Sequence, residues 1–489
     1  MPEVRTTTGR VRGTTDAGVA VFKGIPFAQP PVGALRFAEP KPALKWDGVR
    51  EAVAYGPPPP QAGVFGMADL ARGAGEDWLT VNVWSPEPRA GADLPVMVWI
   101  QGGAYTIGMA SLPEYDGARL ARHGVVVVTF NYRVGVEGFA HVEGAPANRG
   151  LLDQVAALVW VRDDVRAFGG DPDRVTVFGQ SAGGGSVAAL FAVPRATGLF
   201  RRAVAQSAQG TYFTPELAAD IAAACAAELG LRATAADLAT TDPARLPAAG
   251  DAVMAGMSRR ADRWGRAAHR SILFSPVIDG EVMTATPWEA LAGGTGIDLL
   301  AGHTRDEQRL LTALDGLLGQ VTEDHAATAL EVFAPGGPDR FRAAYPDASP
   351  EELYEAVHSD WLFRMPTHHL ALAHGRAHLY ELTWPAPGMG GVLGACHGLD
   401  VPLVFGNLAG GQPAALIGGS EEAEELSRAM RTAWTAFATH GDPGWPVYDT
   451  TRHLTRLFDT EPTVAAYPEA RSREVWRDHA FPALPLINS

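Results

Sequence analysis

Short runs of apolar residues recur through the middle of this 489-residue chain, and segments with helical periodicity separate several of them. The runs occupy residues 96–100, 125–130, 175–178, 203–206 and 298–302, and residues 379–383 could supply another. Runs that are apolar on both faces are typical of strands buried in a parallel sheet. The alternation predicts an α/β fold with a twisted, mostly parallel sheet, helices on both faces, and ligand sites beyond the carboxyl ends of the strands.

Other segments depart from this alternation. Residues 215–289 and 310–364 are rich in Ala, Leu and charged residues at helical spacing, and we interpret them as helical cap insertions in a single domain spanning residues 1–489. Three short alternating segments within residues 4–23 predict an antiparallel meander. Residues 420–439 carry an apolar stripe at helical spacing and predict an amphipathic helix packed on the core.

The charge of the chain argues against a nucleic-acid partner. It has 40 Lys and Arg residues against 55 Asp and Glu residues, a net charge of −15, and no stretch that concentrates the basic residues. The only lysines are Lys23, Lys41 and Lys45. The rest of the chain therefore cannot form a Schiff base through lysine, and it contains no GxxxxGK[ST] phosphate loop.

The location of the protein is predicted from absent signals. The N-terminus lacks the apolar core of a signal peptide, and no later run is long enough to span a membrane. Cys225 and Cys396 lie far apart, which supports neither a disulfide framework nor a zinc site. We therefore expect a cytoplasmic protein with no membrane partner, no metal and no organic cofactor. The sequence leaves its oligomeric state open.

The strongest chemical signal is the pattern Gly-x-Ser-x-Gly at residues 179–183, centred on Ser181. A β-like run at 174–178 precedes it and a helical run at 186–191 follows it. Such a strand, sharp turn and helix hold a serine in a strained conformation that projects its Oγ above the sheet, and the glycines let neighbouring backbone approach closely. We interpret Ser181 as a nucleophile, with the Ala182 N–H directed at a developing oxyanion.

A serine nucleophile needs an imidazole base that a carboxylate orients. His397 lies between nearby glycines in a loop after a predicted strand, which makes it the favoured base. His303 also follows a strand but is more typical of a residue that starts a helix. His368 and His369 lie in a helical stretch, where a packed or surface role is expected.

Further ordered motifs extend over almost the whole chain. They are FKGIPFAQPPVG at 22–33, LRF at 35–37, ED at 76–77, LTVNVW at 79–84, WIQGGAY at 99–105, NYR at 131–133, LLDQ at 151–154 and FGGDP at 168–172. Together with the serine pattern, they resemble the type-B carboxylesterases, an α/β-hydrolase family that includes bacterial para-nitrobenzyl esterases, cholinesterases and the non-catalytic neuroligins.

The resemblance implies a triad in the chain order serine, acid, histidine. Carried over to this sequence, it is Ser181, Glu307 and His397. The adjacent carboxylate Asp306 could compete for the acid's role, and alignment of the motif favours Glu307.

The resemblance also implies an oxyanion hole of backbone N–H groups from Gly103, Ala104 and Ala182, with Gly102 as the turn glycine. The candidate substrate-binding residues are Tyr105, Tyr212 and Phe213, for which a core role is the alternative. Ser207 and Asp400 are candidates to support His397, again with a structural role as the alternative. Cys396, beside His397, is a candidate target for thiol reagents.

Several positions depart from the family's pattern. Trp78 replaces a common cysteine, Gln101 replaces a histidine before the glycine pair, and Gln308 replaces a glycine after the acid. The last two are expected to reshape the pocket without abolishing activity. The loop between Gly56 and Asp77 has no tryptophan, whereas cholinesterases use one there to hold a quaternary ammonium, so choline esters are improbable substrates.

The sequence therefore predicts a bacterial serine esterase that hydrolyses small to medium carboxylic esters through an acyl-Ser181 intermediate. Amides, lactones, carbamates and thioesters remain alternative substrates for the same residues. A non-catalytic binding protein is a less favoured alternative, because the neuroligins lose the serine that this chain keeps.

Overall fold

The computed structural model describes residues 1–63, 75–411 and 413–487. Its strands are β1 (Glu3–Arg5), β2 (Arg10–Arg12), β3 (Thr14–Asp16), β4 (Val19–Pro26), β5 (Val49–Glu51), β6 (Thr80–Ser85), β7 (Leu94–Ile100), β8 (Val126–Phe130), β9 (Gly170–Gln180), β10 (Arg202–Gln206), β11 (Asp298–Thr304), β12 (His378–Leu382), β13 (Leu454–Phe458) and β14 (Thr463–Ala466). Eleven of them form one sheet, and β1, β2 and β5 form a small second sheet.

The large sheet has the order β14-β13-β12-β11-β10-β9-β7-β8-β6-β4-β3. All neighbours from β13 to β8 pair in parallel, and the pairs at the two ends of the sheet are antiparallel. This confirms the predicted mostly parallel sheet. Because parallel strands end at the same edge, the segments that follow β7, β9, β11 and β12 meet there.

The N-terminal prediction of one meander is wrong. β1 pairs with β2 in the small sheet, whereas β3 pairs with β4 at the edge of the large one. The chain changes sheets at Gly13, where a Cβ would collide with the carbonyl oxygen of Val21. The choice of sheet depends on the distant partners β5 and β6, which local alternation does not reveal.

Helices cover both faces of the large sheet. They are α1 (Ala118–Ala121), α2 (Gly135–Phe139), α3 (Arg149–Asp164), α4 (Ala182–Ala189), α5 (Pro215–Ala227), α6 (Ala235–Leu238), α7 (Arg245–Ala255), α8 (Ala261–Trp264), α9 (Arg266–His269), α10 (Pro287–Ala292), α11 (Glu307–Leu314), α12 (Glu323–Phe333), α13 (Pro338–Ala344), α14 (Pro350–Ser359), α15 (Met365–His374), α16 (Asp400–Phe405), α17 (Pro413–Ile417), α18 (Glu421–His440) and α19 (Ala470–Trp476). None of the helices in the described ranges has both the length and the apolarity needed to cross a bilayer.

The helices agree with several sequence predictions. The amphipathic helix predicted at 420–439 is α18, which Ser420 caps by accepting a hydrogen bond from Ala423 N at 3.2 Å. The two predicted helical stretches contain α5 to α9 and most of α11 to α14. That these helices are cap insertions in a single domain stays a prediction.

The core lies on both sides of the sheet because successive strand residues point to opposite faces. In β7, Val96 and Val98 belong to one buried apolar cluster, and Met97 and Trp99 belong to the other. The first cluster includes apolar residues of α3, α4 and α15, and the second includes those of α16 and α18. Both faces of the central strands are therefore dry, as the continuous apolar runs predict.

A buried ion pair joins two of the sequence motifs. Arg133, just after β8, donates from Nε and Nη2 to both carboxylate oxygens of Asp153 in α3, each at 2.8 Å. The Arg133 backbone N–H adds a third bond to Asp153 at 3.0 Å, and Nη1 reaches the carbonyl oxygen of Ala38 at 2.8 Å. A buried pair with its hydrogen bonds satisfied fixes the loop after β8 against α3.

A second buried acid, Glu381 on β12, has unusual surroundings. It is fully buried, and Glu469, Arg364 and Arg305 lie close enough to act on its charge. Burial, and then the negative charge of Glu469, raise the pKa of Glu381 well above its ordinary value, although Arg364 and Arg305 oppose the shift. The folded protein therefore holds the Glu381 proton more tightly than the unfolded chain does.

Glu381→Gln is expected to make the protein less sensitive to alkali. Because the folded-state pKa is raised, the contribution of Glu381 to stability is complete below the unfolded-state pKa and is lost as pH rises toward the folded-state pKa. The unfolding temperature of the variant should match that of the parent protein near pH ~4.5 and exceed it by a few degrees near pH ~8. Thermal unfolding across this range measures the effect, with the exposed Glu331→Gln as the charge-matched control. A difference that does not change with pH would contradict the prediction.

Candidate active site

Ser181 occupies the sharp turn between β9 and α4. Its backbone has φ 60° and ψ −126°, a conformation that residues other than glycine rarely adopt. A Cβ at Gly183 would collide with the carbonyl oxygen of Ile100, and a Cβ at Gly179 would lie 2.6 Å from the carbonyl oxygen of Gly183. The glycines of the serine pattern are therefore required by close backbone approach, as predicted. The Ser181 side chain is half-buried at the carboxyl edge of the sheet.

The glycine-rich loop after β7 passes beside this turn. A Cβ at Gly102 would lie 3.1 Å from Ser181 Cβ, so the two backbones are close. The N–H groups of Gly103, Ala104 and Ala182 donate to no residue in the described ranges. Ala182 is the first residue of α4, where N–H groups have no acceptor within the helix. Unpaired donors beside a serine suit an oxygen that gains negative charge.

Glu307 and His397 are in direct contact. His397 Nδ1 lies 2.5 Å from Glu307 Oε2. Glu307 is the fully buried first residue of α11, just after β11, and His397 lies in a loop that follows the neighbouring strand β12. Since a carboxylate can only accept, the proton of the neutral imidazole is on Nδ1 and the lone pair is on Nε2.

The remaining contacts of Glu307 keep it ionised. Its Oε1 accepts hydrogen bonds from Ser207 Oγ at 2.5 Å and from Thr304 N at 2.9 Å. Burial opposes ionisation, but the charge of His397 and the hydrogen bonds from His397 and Ser207 outweigh burial and lower the pKa of Glu307 below its ordinary value. Ser207, a candidate to support His397, thus contacts the acid that in turn contacts the histidine.

Asp306 has different contacts from its neighbour. Its Oδ2 accepts from Ala395 N at 2.8 Å, its N–H donates to the Ala395 carbonyl at 2.9 Å, and its carboxylate pairs with Arg305 at 3.2 Å. These bonds tie the acid loop to the loop that carries His397. No bond joins Asp306 to His397 in the described part of the chain, so the geometry favours Glu307 as the histidine's partner.

Asp400 also lies near the histidine without bonding to it. Its Oδ2 accepts hydrogen bonds from Gln206 Nε2 at 2.9 Å and from Tyr380 Oη at 2.8 Å. Trp434 Nε1 in turn donates to Gln206 Oε1 at 3.0 Å. Asp400 therefore anchors the start of α16 in a buried network behind the histidine loop.

The other candidate histidines have separate partners. His303 lies on β11 rather than at the start of a helix, so that prediction is wrong. Its Nε2 contacts Tyr467 Oη at 2.8 Å and its Nδ1 contacts the Thr304 carbonyl at 2.9 Å, and burial lowers its pKa to about 4. The strand extends to Thr304 because His303 and Thr304 pair with Glu381 and Leu382 of β12. His368 and His369 lie in α15, as predicted.

Two residues that contact His397 were not among the sequence candidates. The ring of Phe363 stacks on the imidazole, with centroids 4.2 Å apart and planes 29° apart. The amide Nε2 of Gln180 lies 3.1 Å from His397 Nε2. Gln180 could have been suspected because it sits inside the serine pattern, whereas no local signal in the sequence indicates Phe363.

The three candidate substrate-binding residues are deeply buried. Tyr105, Tyr212 and Phe213 have exposures of 0%, 1% and 1%, and all belong to the core cluster on one face of the sheet. The Tyr105 ring packs 4.7 Å from that of Phe139, and Tyr212 Oη donates to the Gly185 carbonyl at 3.1 Å. These contacts support the core alternative, and a role for the three residues in substrate binding stays a prediction.

Cys396 and the positions that depart from the family's pattern are also buried. Cys396 is fully buried and burial raises the pKa of its thiol to about 12, so the expectation that it is open to thiol reagents is wrong. Gln308 accepts a hydrogen bond from Arg270 Nη2 at 2.8 Å, while neither amide atom of Gln101 bonds to a residue of the described ranges. Trp78 is buried. Much of the tryptophan-free loop, residues 64–74, lies outside the described residues.

Comparisons with known proteins show a family match over most of the chain. The model of the carboxylesterase family matches residues 1–476. The chain is similar to the para-nitrobenzyl esterase of Bacillus subtilis (strain 168), with 39% identity over 497 residues that cover 96% of this chain and 97% of the relative. It is also similar to the fumonisin B1 esterase of Sphingopyxis macrogoltabida, with 34% identity covering 91% of this chain and 84% of the relative.

Solved structures share the fold over nearly the whole chain. The Geobacillus stearothermophilus carboxylesterase EST55 at pH 6.2 has a TM-score of 0.86 and 35% identity, and the match covers 97% of this chain and 99% of that one. A structure of PNB esterase has a TM-score of 0.85 and 38% identity at the same coverage.

Proposed function

The chain belongs to the carboxylesterase family and is a carboxylic ester hydrolase, and from this premise we propose that Ser181, His397 and Glu307 are its catalytic triad. The observation that carries the proposal is the 2.5 Å contact between His397 Nδ1 and Glu307 Oε2, at the same sheet edge as the strained Ser181 turn. Glu307 follows β11, His397 follows the neighbouring strand β12, and Ser181 lies in the turn between β9 and α4.

In the proposed acylation step, Ser181 Oγ attacks the carbonyl carbon of the ester while His397 Nε2 takes the hydroxyl proton. Glu307 keeps the other imidazole proton on Nδ1 and offsets the positive charge that the ring acquires. The ester C–O bond then breaks, and His397 returns the proton to the leaving alcohol. The product of this step is an ester between Ser181 and the acyl group.

The deacylation step repeats the same proton transfers with water. Water attacks the acyl carbon as His397 takes its proton, and Ser181 leaves with that proton as the carboxylic acid is released. In both steps the carbonyl oxygen becomes an oxyanion. The N–H groups of Gly103, Ala104 and Ala182 would stabilise it by donating hydrogen bonds. Each preorganised donor contributes about 3 kcal/mol to transition-state stabilisation.

A fluorophosphonate probe tests the nucleophile directly. We expect one equivalent of probe to inactivate the enzyme and to modify Ser181, because only a serine activated by its neighbours attacks phosphorus readily. Peptide mass spectrometry locates the adduct, and hydrolysis of a para-nitrophenyl ester follows the loss of activity. The same protein unfolded in urea, in which the triad is separated, is the control and should stay unlabelled. Full activity after labelling, or an adduct on another residue, would contradict the assignment.

The proposal also covers the class of substrate and the location of the enzyme. Carboxylic esters of small to medium size are the proposed substrates, and amides, lactones, carbamates and thioesters remain alternatives on the same triad. A substrate panel with one acyl group and different leaving groups, compared by kcat/KM, ranks these classes. A cytoplasmic, bacterial setting with no nucleic-acid partner is also part of the proposal. Free, buried Cys225 and Cys396 are compatible with a reducing compartment.

A further inference from the structure

Gln180 contacts His397 Nε2, the atom that takes the Ser181 proton in the proposed reaction. It is the last residue of β9 and directly precedes Ser181. Its Nε2 lies 3.1 Å from His397 Nε2, and the residue is only 7% exposed. The contact is therefore a partly buried one, made inside the candidate active site.

The direction of this hydrogen bond follows from the Glu307 contact. Because the carboxylate holds the imidazole proton on Nδ1, His397 Nε2 can only accept, and the Gln180 amide must be the donor. Ser181 Oγ forms no hydrogen bond with any residue of the described ranges. In the free enzyme, Gln180 thus occupies the lone pair that has to receive the Ser181 proton.

Two glycines lie beside the Gln180 amide. A Cβ at Gly102 would lie 3.4 Å from Gln180 Oε1, and a Cβ at Gly398 would lie 3.7 Å from Gln180 Nε2. Glycine on both sides means that no side chain from either loop presses on the amide. His397, by contrast, is held on its face by Phe363 and at Nδ1 by Glu307.

We propose that Gln180 is a positioning residue for His397: its amide donates to Nε2 in the free enzyme, and turns to present Oε1 to the Nε2–H once Ser181 has given up its proton. The proposal rests on the proposed triad. An amide suits this function because it carries a donor and an acceptor on one planar group. In the ground state it fixes the imidazole, and after proton transfer it accepts a hydrogen bond from the imidazolium.

The charged groups around the His397 imidazole determine the effect expected from a substitution at position 180. Among the described residues, the titratable groups that face His397 are Glu307, Asp400 and the adjacent Cys396 thiol. Asp400 is already engaged with Gln206 and Tyr380, and the thiol is held protonated by burial. The Phe363 and Gln180 sides are uncharged, so a carboxylate at position 180 would be a new charge directly against Nε2.

Gln180→Glu and Gln180→Met test the proposal through the pH dependence of kcat/KM. Glu can accept from the imidazolium but cannot donate to the neutral ring, so the acid limb of the profile should move upward by about one pH unit or more. Met has a similar length and neither donates nor accepts, so Gln180→Met loses the hydrogen bond to the neutral ring. The acid limb of its profile should therefore move upward by a few tenths of a pH unit. The variant Gln320→Glu adds the same charge at an exposed position and should leave the limb in place.

A second measurement does not depend on turnover. The low-field proton resonance of the His397 Nδ1–H bonded to Glu307 reports the protonation of the ring, and in Gln180→Glu the imidazolium signal should persist to higher pH than in the parent enzyme. Gln180→Met decides between the proposal and a purely space-filling residue, because the new charge in Gln180→Glu would favour the imidazolium in either case. If Gln180 only fills space, Gln180→Met would lower kcat or the unfolding temperature at every pH without moving the limb or the resonance, which would overturn the inference. Failure of the triad itself would be seen differently, as absence of fluorophosphonate labelling at Ser181 in the parent enzyme.

Discussion

Ser181→Ala is expected to lower kcat for a para-nitrophenyl ester by about five to six orders of magnitude. The variant lacks the only hydroxyl on the turn between β9 and α4, so no acyl-enzyme can form. The N–H groups of Gly103, Ala104 and Ala182 remain, and they leave a residual rate of about 10³-fold over the uncatalysed reaction. Steady-state kinetics above background hydrolysis measure the loss.

The substitution should leave the fold intact. Ser181 Oγ makes no hydrogen bond to a described residue, and Ala and Ser meet the same backbone penalty at φ 60°. The unfolding temperature is therefore expected to stay within about 2 °C of the parent value. Ser271→Ala is the matched control, because Ser271 is an exposed serine that also has a positive φ, of 53°. If Ser181→Ala retained a hundredth or more of the parent activity while folded, the nucleophile would be another residue.

Glu307→Gln is expected to lower kcat by about 10⁴-fold, and the reason lies in the tautomer of His397. Glu307 Oε1 receives hydrogen bonds from Ser207 Oγ and Thr304 N, so a glutamine must place its carbonyl oxygen there. Its NH₂ group then replaces Oε2 and faces His397 Nδ1. A donor at that position favours the tautomer with the proton on Nε2, which can no longer accept the proton of Ser181.

Asp306→Asn is the matched control for this prediction. Asp306 bonds to Ala395 and Arg305 rather than to His397, so the loss of one charge there should change kcat by less than about tenfold. Kinetics of the two variants, together with their unfolding temperatures, separate the acid from its neighbour. A larger loss for Asp306→Asn than for Glu307→Gln would reverse the assignment.

The sequence predicted those parts of the fold whose signals are local. β7, β9, β10, β11 and β12 were all recognisable because both faces of each strand are buried, which makes them continuous apolar runs. β13 and β14 were not predicted, because polar Thr455, Arg456 and Thr463 interrupt their apolar pattern. The division of the N-terminal strands between two sheets was also missed, since it depends on pairing with residues far along the chain.

By itself, the sequence determined the strained serine turn. A strand that ends in Gly-x-Ser-x-Gly and leads into a helix permits few other conformations, because the close approach of Gly179 and Gly183 is a property of neighbouring residues. The resemblance to a family added the order of the triad, but two adjacent carboxylates still competed for one role.

Alignment of the motif favours Glu307 over Asp306, and the tertiary structure adds the contact between Glu307 and His397 that supports this choice. Only the tertiary structure brings Phe363 and Gln180 to the two sides of His397 that Glu307 leaves free. Adjacent residues after a strand point in different directions, and which of them meets a partner 90 positions further along depends on how β11 and β12 pair. Contacts of this kind are set by the distances between distant segments in the folded chain, and no local pattern of residues encodes them.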